Sequence, residues 1–356
     1  MSKIHNYSAG PCILPQEVLK EAGDAVHNFN GLSILEISHR SADYVAVMEE
    51  ARALVKEILN VPDGYTVLFL QGGASTGFLM SAFNMMREHK KAAYINTGAW
   101  STKAIKEVKH AGGEEVVIAS SEDKNFNYIP KGYEIPSDVD YLHYTSNNTI
   151  FGTQFKETPK TDLPLVCDMS SDIFSKEINV ADFDIIYAGA QKNLGPAGST
   201  LYIVKEEILG KSSVTIPTML DLNTHHKKDS MFNTPPAYPI YVAMLTLRWL
   251  KKNGGIKWIS EINKAKSELI YSEIDSNPMF KGAAAVEDRS DMNVTFVLTN
   301  EEHKDEFDKM WNAANISGIK GHRSVGGYRA SMYNALPLES VQVLVNVMKE
   351  FGQKFG

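Results

Sequence analysis

Lys192 and Asp168 are the two residues whose types and settings point most directly to chemistry. A short apolar run, Leu163 to Cys167, leads into Asp168-Met-Ser-Ser, and a second, Asp184 to Tyr187, leads into Ala-Gly-Ala-Gln-Lys192-Asn. If both runs are buried strands, a carboxylate and an amine arrive at carboxyl ends of strands, where open α/β sheets bind ligands. Such a pair serves pyridoxal phosphate (PLP) chemistry. The amine forms a Schiff base with the aldehyde, and the carboxylate holds the pyridine nitrogen protonated so that the ring accepts electrons. The plainer alternative makes Asp168 a helix cap and Lys192 a solvated loop residue. Against it stands the run Gly195-Pro-Ala-Gly-Ser199, whose small and restricted residues fix a backbone.

Gly73-Ala-Ser-Thr-Gly77 follows the apolar run Thr66 to Leu70 and precedes a helical pattern. It fits the G-x-S-x-G nucleophile elbow, with Ser75 as nucleophile. It fits equally a phosphate cup, in which two glycines let the backbone approach and a helix N-terminus offers free N–H groups. No downstream histidine stands in a recognisable acid–His setting, and Phe78 occupies the place of a P-loop lysine, so the cup is favoured about two to one over the elbow. Trp100, after Asn96-Thr-Gly-Ala, sits where an aromatic could stack on a flat ring or merely pack over a sheet edge. Thr149, in Ser146-Asn-Asn-Thr-Ile, follows another strand and offers a hydroxyl. Ser38-His39-Arg40 and Gly321-His322-Arg323, with Arg329 close behind, are compact cationic groups, and Arg forks bind carboxylate and phosphate bidentately.

These side chains need elements to hold them. Val47, Ala51, Leu54, Val55 and Ile58 form one stripe, which predicts a helix over 43–60, and Pro15 marks another helix start. Thr66–Leu70, Ala92–Ile95, Glu115–Ala119, Tyr141–Tyr144, Leu165–Cys167 and Asp184–Tyr187 read as short strands, mostly apolar on both faces, with helices after Gly73 and over Trp100–His110. That alternation predicts a doubly wound α/β domain with a mostly parallel sheet. The texture changes after Asn253-Gly-Gly255. A long polar helix, a strand at Asn293–Leu298, a helix at Glu301–Asn315 and a final helix at Leu338–Phe351 predict a smaller α+β domain.

Composition narrows the field. The chain has 356 residues, 36 Lys and Arg against 43 Asp and Glu, and a net charge of -7, which argues against nonspecific nucleic-acid binding. Two cysteines, Cys12 and Cys167, are too few for a disulfide framework. No apolar run approaches a membrane span, and the first residues lack a secretory h-region, so no membrane role and a reduced compartment are expected. No HExxH motif or EF-hand loop is present and His225-His226 sits in a polar loop, so no metal is expected.

Asn6-Tyr-Ser-Ala-Gly-Pro, Ser38-His-Arg, Tyr187-Ala-Gly-Ala-Gln-Lys-Asn-Leu-Gly-Pro-Ala-Gly, Ser230-Met-Phe-Asn-Thr-Pro-Pro and Gly321-His-Arg-Ser-Val-Gly-Gly-Tyr-Arg-Ala-Ser occur in this order. Together they resemble the phosphoserine aminotransferase family, in the class V branch of the fold-type I PLP-dependent transferases. The resemblance runs from the N-terminus to about Pro337. It implies an α/β fold with a large domain, residues 16–255, around a mostly parallel seven-stranded sheet. Residues 1–15 and 256–356 would form the small α+β domain.

The resemblance further implies roles. Lys192 would bond the cofactor, pyridoxal 5′-phosphate, and Asp168 would face its ring nitrogen. Trp100 would stack on the ring, with Thr149 near its 3-hydroxyl. Ala74, Ser75 and Gln191 would hold its phosphate, joined by Asn233 and Thr234 from the second subunit of a homodimer. Arg329 would clamp the substrate α-carboxylate, and His39, Arg40, His322 and Arg323 the distal anion. Many members carry Gly-Arg where this chain has Ala74-Ser75, which lowers the number of groups on that anion. The implied activity is ping-pong transamination between O-phospho-L-serine and 2-oxoglutarate, giving 3-phosphohydroxypyruvate and L-glutamate. Its setting would be cytoplasmic serine biosynthesis, with 4-phosphohydroxy-L-threonine of pyridoxine biosynthesis as a candidate second substrate.

Overall fold

The computed structural model describes residues 3–323 and 325–356; Met1, Ser2 and Ser324 of the motifs above lie outside the described residues. Its centre is a seven-stranded sheet. From one edge to the other the strands are Tyr65–Leu70, Thr200–Lys205, Ile185–Gly189, Leu165–Asp168, Tyr141–Thr145, Lys91–Asn96 and Glu114–Ser120. Thr200–Lys205 is antiparallel to both neighbours, and the other strands run one way. The chain ends of six strands therefore open on one edge of the sheet. The six apolar runs read from the sequence are the six aligned strands. The seventh, Thr200–Lys205, follows the Gly-Pro-Ala-Gly turn and reverses direction there.

Burial explains why these runs pair. Tyr65–Leu70, Tyr141–Thr145 and Leu165–Asp168 are buried along their whole length, as strands covered on both faces must be. Although Tyr65–Leu70 lies at the sheet edge, part of its outer backbone is satisfied. Arg52 Nε donates to Val67 O at 2.9 Å, and Phe69 N donates to Ser230 Oγ at 3.0 Å. Helix Ala42–Ile58 packs on one face, its Ser41 N-cap accepting from Tyr44 N. Helices Gly73–Met85 and Ala99–Glu107 cover the other. Gly72 and Gly73 start the former with φ of 100° and 65°, in the left-handed region where glycine is favoured. A Cβ on Gly72 would lie 2.0 Å from Thr76 Oγ1, so the tight turn into this helix requires glycine there.

A second, separate core surrounds the antiparallel sheet Phe280–Gly282, Asn293–Leu298 and Tyr328–Ser331. Phe307 sits among Phe280 and Phe351 with ring centroids 5.2 and 5.0 Å away, geometry that adds to simple burial. Tyr7 belongs to this core, and His5–Asn6 pairs in parallel with Ile316–Ser317. Helix Gly255–Ser276 spans both cores, placing Ile256 and Ile259 in the first and Ile270 and Ile274 in the second. Among the described residues no helix is long and apolar enough to cross a membrane.

Candidate active site

A cavity of about 430 Å³ opens at the carboxyl edge of the large sheet, lined in part by Asp168, Lys192, Trp100, Thr149 and Arg329. Asp168 is the last residue of Leu165–Asp168, and its strand partner across the ladder is Tyr187, five residues before Lys192. Adjacent parallel strands thus deliver the carboxylate and the amine to one place. Asp168 is 4% exposed and accepts a hydrogen bond from Ser170 N at 2.9 Å through Oδ1. Burial pushes its carboxyl pKa up, while the Lys192 charge opposes that shift.

The Lys192 amine donates to Thr149 Oγ1 at 2.7 Å and lies 5.2 Å from the centre of the Trp100 ring. Burial depresses its pKa to about 8, with Asp168 opposing the shift and Arg329 adding to it. An amine tuned this way carries a usable uncharged fraction near neutral pH. The lysine loop is held from outside the sheet as well. Cys12 N donates to Gln191 O at 3.1 Å, the Cys12 thiol reaches Lys192 O, and Gly10 packs so closely that a Cβ there would meet Lys192 Cγ at 3.3 Å.

Arg329, paired with Thr295 in the small sheet, enters the cavity from the other core and donates to Thr149 O at 3.4 Å. Burial lowers its pKa. Two buried donors on the cavity wall, Trp100 Nε1 and Arg329 Nε, have no partner among the described residues. Unpaired buried donors are costly, so a wall that displays them suits an acceptor-rich occupant. Ala74 and Ser75 occupy the first turn of Gly73–Met85, where backbone N–H groups lack intrahelical acceptors.

Ala74, Ser75, Trp100, Thr149, Asp168, Gln191, Lys192, His322 and Arg329 therefore converge on one cavity. His39, Arg40, Arg323, Asn233 and Thr234 do not line it. Asn233 and Thr234 sit beside Gln71, which donates to Thr234 O at 3.1 Å, and Asn233 lines a neighbouring hollow with Thr76 and His225. Ala9, Gly10, Ile150 and Ser170 also line the cavity. Ser170 was visible in the Asp168-Met-Ser-Ser run. Ala9 and Gly10 lie in the N-terminal motif, but only the fold brings that segment across. His322 has burial, Arg329, Arg323 and Lys103 all lowering its pKa. Its surroundings are cationic, the reverse of the acid–His pair that an elbow nucleophile at Ser75 requires.

The profile of the family Aminotransferase class-V matches residues 4–344. A phosphoserine aminotransferase of Flavobacterium psychrophilum is 65% identical, over 99% of both chains. Among solved structures, the phosphoserine aminotransferase of Bacillus circulans subsp. alkalophilus is 45% identical with a TM-score of 0.95 over 99% of each chain. The PLP-bound phosphoserine aminotransferase of Trichomonas vaginalis is 34% identical with a TM-score of 0.92, over 98% of this chain and 100% of that one. A profile match and a close relative that both span nearly all of a chain leave one conclusion: this chain belongs to the class-V aminotransferase family.

Proposed function

We propose that the chain transfers an amino group between O-phospho-L-serine and 2-oxoglutarate, giving 3-phosphohydroxypyruvate and L-glutamate, with pyridoxal 5′-phosphate as its cofactor. One observation carries the reading. An amine whose pKa burial lowers to about 8 faces a buried carboxylate from the neighbouring strand, in a cavity that a half-buried arginine enters from the small sheet. The names of relatives more than half identical over the whole chain supply the substrate.

The residues present fit this cofactor. Bound, it supplies an aldehyde that amines condense with and a ring that accepts electrons. Lys192, uncharged in part at neutral pH, is the nucleophile toward the aldehyde and then the carrier of the substrate Cα proton. Asp168, shielded from water, holds a proton on the ring nitrogen. Trp100 would stack on the ring, and Thr149 would sit near its 3-hydroxyl. Ala74, Ser75 and Gln191 receive the cofactor phosphate, with Asn233 and Thr234 supplied across a homodimer interface. Neither lines the cavity of its own chain, which supports that last assignment. Arg329 orients the α-carboxylate. His322 lies beside the distal anion with Arg323, and His39 and Arg40 complete that group. We read residues 16–255 as the large domain and 1–15 with 256–356 as the small one. The two separate cores and the membership of Tyr7 in the second support this division. The setting is cytoplasmic serine biosynthesis.

Substrate ratios test the assignment. Removing one partner of a buried charge pair costs about 2–5 kcal/mol, roughly 30- to several-thousand-fold. Arg329→Ala should depress kcat/KM for phosphoserine, glutamate and alanine by similar factors. Arg323→Ala should depress phosphoserine and glutamate while sparing the residual reaction with alanine, which has no distal anion. Equal losses on all three substrates in Arg323→Ala would refute the distal-anion role. A wild-type protein that ignores phosphoserine would sink the substrate reading.

A further inference from the structure

Lys266 lies in the middle of helix Gly255–Ser276, the element that spans both cores, and is 0% exposed. Among the described residues no carboxylate stands within ion-pair distance of it. Its amine instead donates to three backbone carbonyls: Met332 O at 2.9 Å, Tyr333 O at 3.0 Å and Leu336 O at 3.2 Å. An ammonium has three N–H bonds and no acceptor, so this site uses its donor capacity in full. An apolar side chain there would leave three buried carbonyls without that donor.

Those carbonyls belong to a turn with unusual reach. It leaves the strand Tyr328–Ser331 that carries Arg329 and enters helix Leu338–Phe355. Within it, Asn334 N donates to Asn193 Oδ1 at 2.9 Å, next to Lys192 in the chain. Asn334 Nδ2 donates to Phe174 O at 2.9 Å, in the segment that follows Asp168. Asn263, one turn before Lys266 on the same helix, donates to Asn334 Oδ1 at 2.9 Å. Tyr333 OH donates to Ala9 O at 2.8 Å, and Ala9 lines the cavity. One six-residue turn thus touches the segments bearing Lys192, Asp168, Arg329 and the N-terminal strap.

We infer that Lys266 is a positioning residue, which by gathering the carbonyls of the 332–336 turn sets where Arg329 stands relative to the Lys192 loop. Because Arg329 is read above as the α-carboxylate clamp, the inference rests on that reading. In its charged form the amine ties the helix that spans both cores to a turn adjoining the second. The substrate carboxylate is held from one core and the amine is delivered from the other. A turn that relaxes loosens the hold of Arg329 on the carboxylate, in the bound state and the transition state alike.

The test uses the holoenzyme and compares Lys266→Met, Lys266→Ala and Asn334→Ala with wild type. Lys266→Met should raise KM for glutamate and for alanine by a common factor of about ten, with a smaller change in kcat, because uniform binding through the carboxylate is what weakens. Asn334→Ala, which keeps the lysine but cuts the side-chain ties to Phe174 and Asn263, should show the same signature. In Lys266→Ala, ammonium chloride should restore KM, since an ammonium ion carries the missing N–H donors. Tetramethylammonium chloride, which has none, should not. Folded Lys266→Met and Asn334→Ala proteins with KM within twofold of wild type would overturn the inference and leave Lys266 as a purely structural tie. If Lys266→Met does not fold, Asn334→Ala and the ammonium titration decide alone, and failure of both overturns it. Failure of the substrate reading would appear separately, as a wild type inactive on phosphoserine that still gives these ratios with glutamate.

Discussion

Burial lowers the pKa of two lysines of this chain, Lys192 and Lys266, and they have opposite fates. At Lys192 burial lowers the pKa to about 8, with Asp168 opposing and Arg329 reinforcing the shift. At Lys266 burial alone lowers it to about 7. By depression of pKa alone, Lys266 would look the more reactive. Geometry reverses that ranking. Lys192 donates to Thr149 and opens on a cavity beside a carboxylate. Lys266 spends its donors on three carbonyls and is fully buried. A perturbed amine becomes a reagent when it has donor capacity to spare and room for a partner. The same desolvation in a closed setting makes a joint.

The largest effect that tests this contrast is at Lys192. Lys192→Ala should reduce turnover by more than the roughly 10²–10⁴-fold expected of a lost acid–base group, because nucleophile and proton carrier vanish together. Lys266→Met should not approach that loss in kcat; if it does, the two sites are not different in kind. Mixing Lys192→Ala with an Asn233/Thr234 double variant should restore activity through heterodimers with one intact site. No recovery after confirmed subunit exchange would remove the shared-site proposal.

A smaller effect sharpens the electrostatic half of the contrast. The uncharged Lys192 amine grows as pH rises through about 8, so the rate at which apoprotein takes up pyridoxal phosphate should rise through that value and level off above it. Asp168→Asn removes the charge that raises the pKa and should move the inflection down. Arg329→Ala removes a charge that lowers it and should move the inflection up. Shifts in the same direction for both variants, read from the absorbance of the yellow product, would contradict the assignment of those charges.

The smallest effect is on stability at Lys266. Its folded value of about 7 lies below the ordinary 10.5, so the unfolded chain binds the proton more tightly across that window. Stability therefore rises with pH between those values. Wild type should gain on Lys266→Met by at most about 1.4 kcal/mol per pH unit there. Below pH 7, where both states are protonated, the difference should be flat. A difference that falls as pH rises from 7 to 9, measured by denaturant unfolding at fixed ionic strength, would show that Lys266 is not held with a depressed pKa.

The sequence revealed those parts of the site that rest on local pattern. Short apolar runs ending in Asp168, and in the loop of Lys192, were readable as strand ends, because burial on both faces leaves a continuous hydrophobic signature. Gly72-Gly73 was readable as a turn into a helix, because left-handed backbone favours glycine. Thr200–Lys205 is buried in all but its last residue, but nothing local shows that it runs backwards. Lys266 was equally opaque, since one lysine in a polar helical stretch looks like any solvated side chain.

Residue types and their periodicity thus determined which segments become strands and helices, and at which strand ends the reactive groups emerge. They do so because desolvation and backbone sterics act within a few residues. Only the tertiary structure decided which groups meet. Arg329 joins Lys192 because an antiparallel sheet with its own core is docked against the large one, and Ala9 joins them because the N-terminal strap crosses between the two. It decided, too, that of two buried amines one faces a cavity and the other three carbonyls. Those outcomes depend on long-range packing, in which a side chain's chemistry is set by neighbours far away in the chain.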